Sequence, residues 1–206
     1  ALARMQRTAD AGGIELIVAA LQAHPQVAGV QQFGCLAMAS VCSGGDAASL
    51  ARKQRAADAG GIEVAVAAML AHPQVAHVQE YGCWAVACVC VGTDDAAALA
   101  RMQRTADAGG IELIVAALQA HPQVASVQQG GCWALVQRVR RQRRCVQQFG
   151  CCAMGNVCYG SDVAARARRQ RAVTVGATEA VAGAMQAHPG DAAVQRHGQR
   201  LRDLFA

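Results

Sequence analysis

The chain has 206 residues, of which 53% are hydrophobic, 3% aromatic and 16% charged, and its formal net charge is +5. This length suits one or two ordinary domains. No run of residues approaches the ~20 consecutive apolar residues that a membrane-spanning helix needs. The sequence therefore argues against a transmembrane protein, although it leaves open peripheral association with a membrane complex.

A repeated stretch organises the chain. The tetrapeptide Gly-Gly-Ile-Glu begins at Gly12, Gly60 and Gly109, so the starts are 48 and 49 residues apart. A fixed period of this size indicates a repeat architecture, in which neighbouring units bury a core that one unit cannot form alone.

Each unit is predicted to contain three helices. In the first unit these are Leu2–Asp10, Ile14–Ala23 and Val27–Cys42. The apolar residues of the second helix follow the spacing of a helix face. The Gly-Gly pair suits a left-handed helix stop before it, and a His-Pro pair ends it.

The pattern breaks inside the third unit. Val146–Met154 nearly copies Val30–Met38, and Cys151 follows Cys132 by only 19 residues. This predicts an irregular junction near 136–145 and leaves three alternatives open. The layer of second helices could contain a hole, the stack could restart in a new direction after a long helix at 124–144, or the gene sequence could contain an error.

After the junction the pattern resumes with helices at Val163–Val175, Thr178–Ala187 and Ala192–Phe205. We therefore expect a single solenoid over residues 1–206. Its predicted units are about 1–43, 47–92, 96–144, a truncated unit 145–160 and a terminal unit 163–206.

These residues resemble the armadillo repeat, in units of the kind found in algal and protist proteins. The resemblance rests on the Gly-Gly-Ile-Glu start, the His-Pro stop and the Gly-Cys-Trp-Ala sequence at Gly82–Ala85. It implies an all-α fold, a right-handed α-solenoid of three-helix units. It also implies a scaffold that binds partner proteins along a concave groove lined by the third helices.

The resemblance places candidate groove residues at two positions of each third helix. In armadillo importers of nuclear cargo these positions hold Trp and, four residues later, Asn. Here they hold the following residues: Leu36 and Ser40, Trp84 and Cys88, Trp133 and Gln137, Cys152 and Asn156. Because no unit keeps both family residues, the groove is expected to accept an apolar helix or loop, and not a basic nuclear-localisation peptide.

Basic residues concentrate in the C-terminal third. Residues 1–137 contain 7 basic and 10 acidic side chains, whereas residues 138–206 contain 12 basic and 4 acidic ones. The predicted basic patch consists of Arg138, Arg140, Arg141, Arg143, Arg144, Arg166, Arg168, Arg169 and Arg171. Since no aromatic residues interleave with these arginines as a nucleic-acid platform requires, an acidic protein surface is the expected partner. The alternative is a solvated helix face.

The sequence predicts no enzymatic activity, cofactor or metal site. Cys35, Cys83 and Cys132 share one position of successive third helices, which suits buried thiols in a reducing compartment. The repeated histidines and glutamates suit the two ends of the second helices.

Two function classes remain. One is a non-enzymatic interaction scaffold, and the other is an architectural linker held permanently in a cytoskeletal, ciliary or organellar membrane complex. The expected location is intracellular, with the cytoplasm favoured over an organelle.

Overall fold

The computed structural model describes residues 2–92, 96–124, 127, 158 and 162–206. Over these residues the chain is all-helical and has no strand, which confirms that the fold is all-α. The helices of the first two units are α1 Leu2–Asp10, α2 Gly13–Ala23, α3 Ala28–Cys42, α4 Ala47–Asp58, α5 Gly61–Ala71 and α6 Ala76–Cys90. The later helices are α7 Ala96–Asp107, α8 Gly110–Ala120, α9 Val163–Thr174, α10 Ala177–Ala187 and α11 Ala192–Phe205.

Local signals define where these helices begin. The Asp46 carboxylate accepts a hydrogen bond from the Ser49 N–H at 2.9 Å and caps α4. Gly12 precedes α2 with a φ of 77°, and the equivalent Gly60 has a φ of 89°. Glycine adopts this left-handed conformation without the steric cost that other residues incur. The prediction that the glycines stop the first helices is therefore confirmed.

A glutamine from the third helix supports the end of the second helix in three of the units, and it is buried in the first two. The Gln31 side-chain amide donates to the carbonyl oxygens of Leu21 at 3.0 Å and His24 at 2.9 Å. These are carbonyls at the end of α2, which the helix itself cannot pair. Gln79 and Gln195 make the corresponding bonds at the ends of α5 and α10.

Equivalent helices of successive units pack against each other. α3 packs against α6, and α2, α5, α8 and α10 contact one another in that order. Two clusters of buried residues fill the space between the layers, one centred on the first two units and one on α8 and the terminal helices. Alanine, valine and cysteine make up most of both clusters, so the helices approach closely.

The terminal unit packs directly on the third unit. α9 contacts α7 and α8, and α10 contacts α8. The α8–α10 contact contradicts a hole in the layer of second helices among the described residues. The alternative of a restart after a long helix at 124–144 stays a prediction. The predicted junction near 136–145 and the truncated unit 145–160, except for Cys158, lie outside the described residues.

Val127 and Cys158 show how the sequence accommodates this stacking. Both are fully buried, as are their counterparts Val78 and Cys90 in the second unit. The Cys158 thiol donates to the Arg168 carbonyl at 3.6 Å, as the Cys90 thiol donates to that of Arg101. Val127 and Cys158 are 31 residues apart in the sequence, whereas Val78 and Cys90 are 12 apart. The extra residues thus fall between two positions that retain the packing of a regular unit.

Candidate functional site

The predicted groove lies on α3 and α6, which pack side by side. Leu36 and Ser40 are both half-buried on α3, and Trp84 is half-buried on α6. The Ser40 hydroxyl donates to the Leu36 carbonyl at 2.8 Å, so its own helix uses this donor. The remaining positions of the predicted groove lie outside the described residues; they are Trp133, Gln137, Cys152 and Asn156.

Aromatic side chains that the sequence reasoning missed extend this surface. The Tyr81 ring lies 6.3 Å from the Trp84 ring and 6.1 Å from the His77 ring, measured between centroids. His77, Tyr81 and Trp84 stand at i, i+4 and i+7, one face of α6. Phe33 holds the position of Tyr81 on α3, and 63% of its surface is exposed. Aligning the repeats could have identified these residues, because Phe33 and Leu36 of α3 align with Tyr81 and Trp84 of α6.

We call Phe33, Leu36, Tyr81 and Trp84 the third-helix strip. Burial raises the pKa of the Tyr81 phenol, with a smaller contribution from the charge of Glu80. The phenol therefore stays protonated at neutral pH and is available as a hydrogen-bond donor next to an apolar surface. Such a combination of rigid rings and one polar group is typical of protein-binding surfaces.

Cys88 is not a groove residue. Only 2% of its surface is exposed, and its sulphur lies 3.7 Å from the Ser43 hydroxyl of the first unit. Burial raises the pKa of this thiol well above its ordinary value. The prediction that Cys88 lines the groove is therefore wrong, because the side chain points into the contact between units and not outward.

The cysteines of the described residues are buried free thiols. Those described are Cys35, Cys42, Cys83, Cys88, Cys90 and Cys158. Burial raises the pKa of Cys35 to about 12 and that of Cys90 to about 11. These thiols are protonated at neutral pH and are poor nucleophiles and poor metal ligands. Cys35 and Cys83 are thus buried as predicted, whereas Cys132 lies outside the described residues.

Repeated polar residues connect neighbouring units. Arg55 of α4 contacts the Glu15 carboxylate of α2 through two hydrogen bonds of 2.6 and 2.9 Å. The same pairing joins Arg104 to Glu63 and Arg171 to Glu112. Arg55 also lowers the pKa of Glu15. The glutamates predicted to serve their own helix ends therefore also bind the next unit.

Two of the repeated histidines likewise reach across units. The His72 Nε2 lies 2.8 Å from the Pro25 carbonyl oxygen of the preceding unit. The His121 Nε2 lies 2.9 Å from the Pro73 carbonyl oxygen. The prediction that these histidines serve structure is consistent with these bonds, but their carbonyl partners belong to the neighbouring unit.

Three of the four described arginines of the predicted basic patch have hydrogen-bond or ion-pair partners within the chain. Arg168 is only 3% exposed and donates to the Gln103 side chain at 2.7 Å. Arg169 donates to the Cys158 carbonyl at 3.0 Å, and Arg171 pairs with Glu112. Among these three arginines Arg168 is buried and cannot contribute to a surface patch, whereas Arg169 is partly exposed and Arg171 is exposed but both already have partners.

Other arginines are exposed in this region. Arg166 keeps an exposed side chain, and so do Arg196, Arg200 and Arg202 on α11. The predicted patch residues Arg138, Arg140, Arg141, Arg143 and Arg144 lie outside the described residues.

Within the described part of the chain, no group of three or more His, Cys, Asp or Glu side chains is arranged to hold a metal ion. No helix among these residues combines the length and apolar character required to cross a bilayer. Comparison of the chain with protein-family models, with curated proteins and with solved structures finds no match.

Proposed function

We propose that this protein is a non-enzymatic interaction scaffold, an armadillo-like right-handed α-solenoid that binds a partner protein along the third-helix strip. The observation that carries the proposal is the aromatic and apolar strip on two adjacent third helices, in which Phe33 is exposed and Leu36, Tyr81 and Trp84 are half-buried. Phe33 is 63% exposed there although the chain contains only seven aromatic residues. An exposed phenylalanine on one helix and a partly exposed pair of rings, Tyr81 and Trp84, on the adjacent helix favour a binding role.

The architecture we propose for the chain is a single array of four units. Support comes from the contacts of α9 and α10 with α7 and α8, and from the regular packing of Val127 and Cys158. In this arrangement the terminal helices α9, α10 and α11 form the fourth unit, stacked directly on the third. The third-helix strip then occupies the first half of the array.

The partner we propose contributes an apolar helix or loop to the strip. Leu36 and Trp84 are apolar, and the Ser40 hydroxyl is used within its own helix, so the strip offers few polar groups. A second contact with an acidic surface of the partner is assigned to the exposed arginines Arg166, Arg196, Arg200 and Arg202. Arginine forks pair well with carboxylates, and this contact should weaken as salt is added.

A peptide-display library tests the proposal. Peptides selected on the intact chain are expected to be rich in apolar residues and to bind Phe33→Ala and Tyr81→Ala at least about tenfold more weakly. Leu70→Ala is the matched control, because Leu70 is 67% exposed on α5 and lies outside the strip. Equal affinity for wild type, the strip variants and the control would contradict the proposal.

The architectural linker remains the second candidate. It is favoured by one observation, the exposed apolar residues at the N-terminal end of the array, where Leu16 is 68% exposed. A permanent subunit would use such a surface for assembly, whereas a reversible scaffold needs only its groove.

A further inference from the structure

The N-terminal end of the array exposes residues whose counterparts in the later units are buried or, at Leu113, partly buried. Leu16 is 68% exposed, whereas Val64 at the same position of α5 is 7% exposed and Ala180 of α10 is 8% exposed. Ala20 is exposed, whereas its counterparts Ala68 and Ala117 are buried. In the later units this face of the second helix is covered by the preceding unit.

The first helices show the same difference. Thr8 is exposed on α1, whereas Ala56 and Thr105 are completely buried at the same position. Arg4 is exposed, whereas Arg52 is only 3% exposed. We call Arg4, Arg7, Thr8, Leu16 and Ala20 the N-terminal end face.

The polar groups of this face correspond to one side of the contact between neighbouring units, which occurs three times within the chain. Arg52, the counterpart of Arg4, donates to the Val41 carbonyl at 2.8 Å and to the Gln6 side chain at 2.7 Å. Arg101 makes the same two bonds, to the Val89 carbonyl at 2.9 Å and the Gln54 side chain at 2.7 Å.

Arg7 corresponds to Arg55, Arg104 and Arg171, each of which pairs with a glutamate of the preceding unit. Within the described residues, neither Arg4 nor Arg7 has a side-chain partner. The N-terminal end face therefore carries both the apolar and the charged elements of the contact between units.

The opposite end of the array is polar. Gln199, Arg202 and Asp203 on α11 are exposed and hold the positions of the buried α6 residues Cys83, Val86 and Ala87. A polar terminal face limits further stacking. The C-terminal end of a second copy of this chain would therefore offer no apolar surface to cover Leu16 and Ala20.

We infer that the N-terminal end face is a docking surface for a further three-helix repeat unit with an apolar outgoing face, distinct from this chain's own terminal unit. The docked unit presents a carboxylate to Arg7 at the start of its second helix, and a glutamine and a backbone carbonyl to Arg4. Its apolar residues cover Leu16 and Ala20. This inference does not rest on the third-helix strip, because the two surfaces share no residue.

An extended chain tests the inference. A copy of residues 47–97 is placed directly ahead of Ala1, so that Ala1 takes the position of Ala98 and the copied second unit faces α1 and α2. Position 16 is probed in Leu16→Cys by maleimide labelling, followed by mass spectrometry of its peptide. Labelling is expected to be at least about tenfold slower in the extended chain, because only local opening would expose the thiol. Leu70→Cys is the control and should label equally in both chains.

Charge reversal supplies an independent readout. Arg7→Glu should lower the Tm of the extended chain by about 2 °C and leave that of the original chain unchanged. Replacing the copied Glu63 by Arg in the same chain should restore the Tm. Equal labelling of position 16 in both chains, or an equal effect of Arg7→Glu in both, would overturn the inference. Concentration-dependent association of the original chain that Leu16→Glu abolishes would also overturn it, since the occupant would then be a second copy.

Discussion

Lys53 is a buried cation in a position that other units fill differently. It is the single lysine of the chain, 1% of its surface is exposed, and its Nζ donates to the Gly44 carbonyl at 2.7 Å. Met102 holds the same position on α7 and is also buried. Burial of the charged amine lowers the pKa of Lys53. One hydrogen bond offsets only part of the cost of removing an ammonium group from water.

Lys53→Met is expected to raise the free energy of unfolding at pH 7 by about 1 kcal/mol. Because the folded-state pKa is lowered from 10.5, the unfolded chain binds more protons in the window between the two values. Wild-type stability relative to the variant should therefore rise as the pH increases toward 10.5 and be lost as the pH falls through the folded-state pKa.

Urea denaturation at pH 7 and pH 10 measures this difference, and alkaline effects of the buried thiols cancel because both chains contain them. Lys53→Arg is the control, since it keeps the charge and should show no gain. A Lys53→Met variant less stable than wild type at pH 7 would show that the bond to Gly44 outweighs the buried charge.

At the scale of the helices, the sequence predicted the elements well because each has a local signal. Ile14, Val18 and Leu21 recur at helical spacing and are buried as that spacing requires. The predicted second helix started at Ile14, one residue late, because Gly13 already belongs to α2.

Contacts between units were harder to predict. Neither the histidine spacing nor the charge of 166–171 shows by itself which carbonyl or carboxylate lies nearby. Aligning Arg168 with Arg52 and Arg101 in the repeat would have indicated a buried position, since the three arginines share one register. Distances across units depend on the packing of whole helices, which local periodicity does not determine.

The side-chain bond from Gln31, Gln79 or Gln195 to the end of the second helix is the element-scale feature that the sequence reasoning missed. Gln79 is 2% exposed and donates to the carbonyls of Met69 at 2.8 Å and His72 at 2.9 Å. Gln79→Leu leaves the Met69 carbonyl unpaired at the buried end of α5, whereas the His72 carbonyl keeps its bond from the Val75 N–H. We expect the free energy of unfolding to fall by about 1–3 kcal/mol.

Chemical denaturation followed by circular dichroism measures this loss. Gln74→Leu is the matched control, because Gln74 is exposed and the same substitution there should change stability by less than about 0.5 kcal/mol. If the two variants were equally stable, the bonds to Met69 and His72 would contribute nothing to the end of α5.

At the scale of the whole molecule, three arginine–glutamate pairs join the units in succession. The pairs are Arg55–Glu15, Arg104–Glu63 and Arg171–Glu112. Each joins the first helix of one unit to the second helix of the preceding one, so the pairs fix the register of the stack while the apolar clusters supply most of its stability. The third pair shows that the terminal unit follows the same register despite the extra residues between Val127 and Cys158.

The central pair allows a direct test of this register. Glu63→Arg and Arg104→Glu should each lower the free energy of unfolding, because each places two like charges between α5 and α7. The double exchange should recover part of the loss, with a coupling energy of about 0.5–1 kcal/mol, since both side chains are 42% exposed and solvent weakens their attraction. The recovery should shrink in 1 M NaCl, which screens exposed charges. Additive losses in the double exchange at low salt would mean that the pair does not couple the two units.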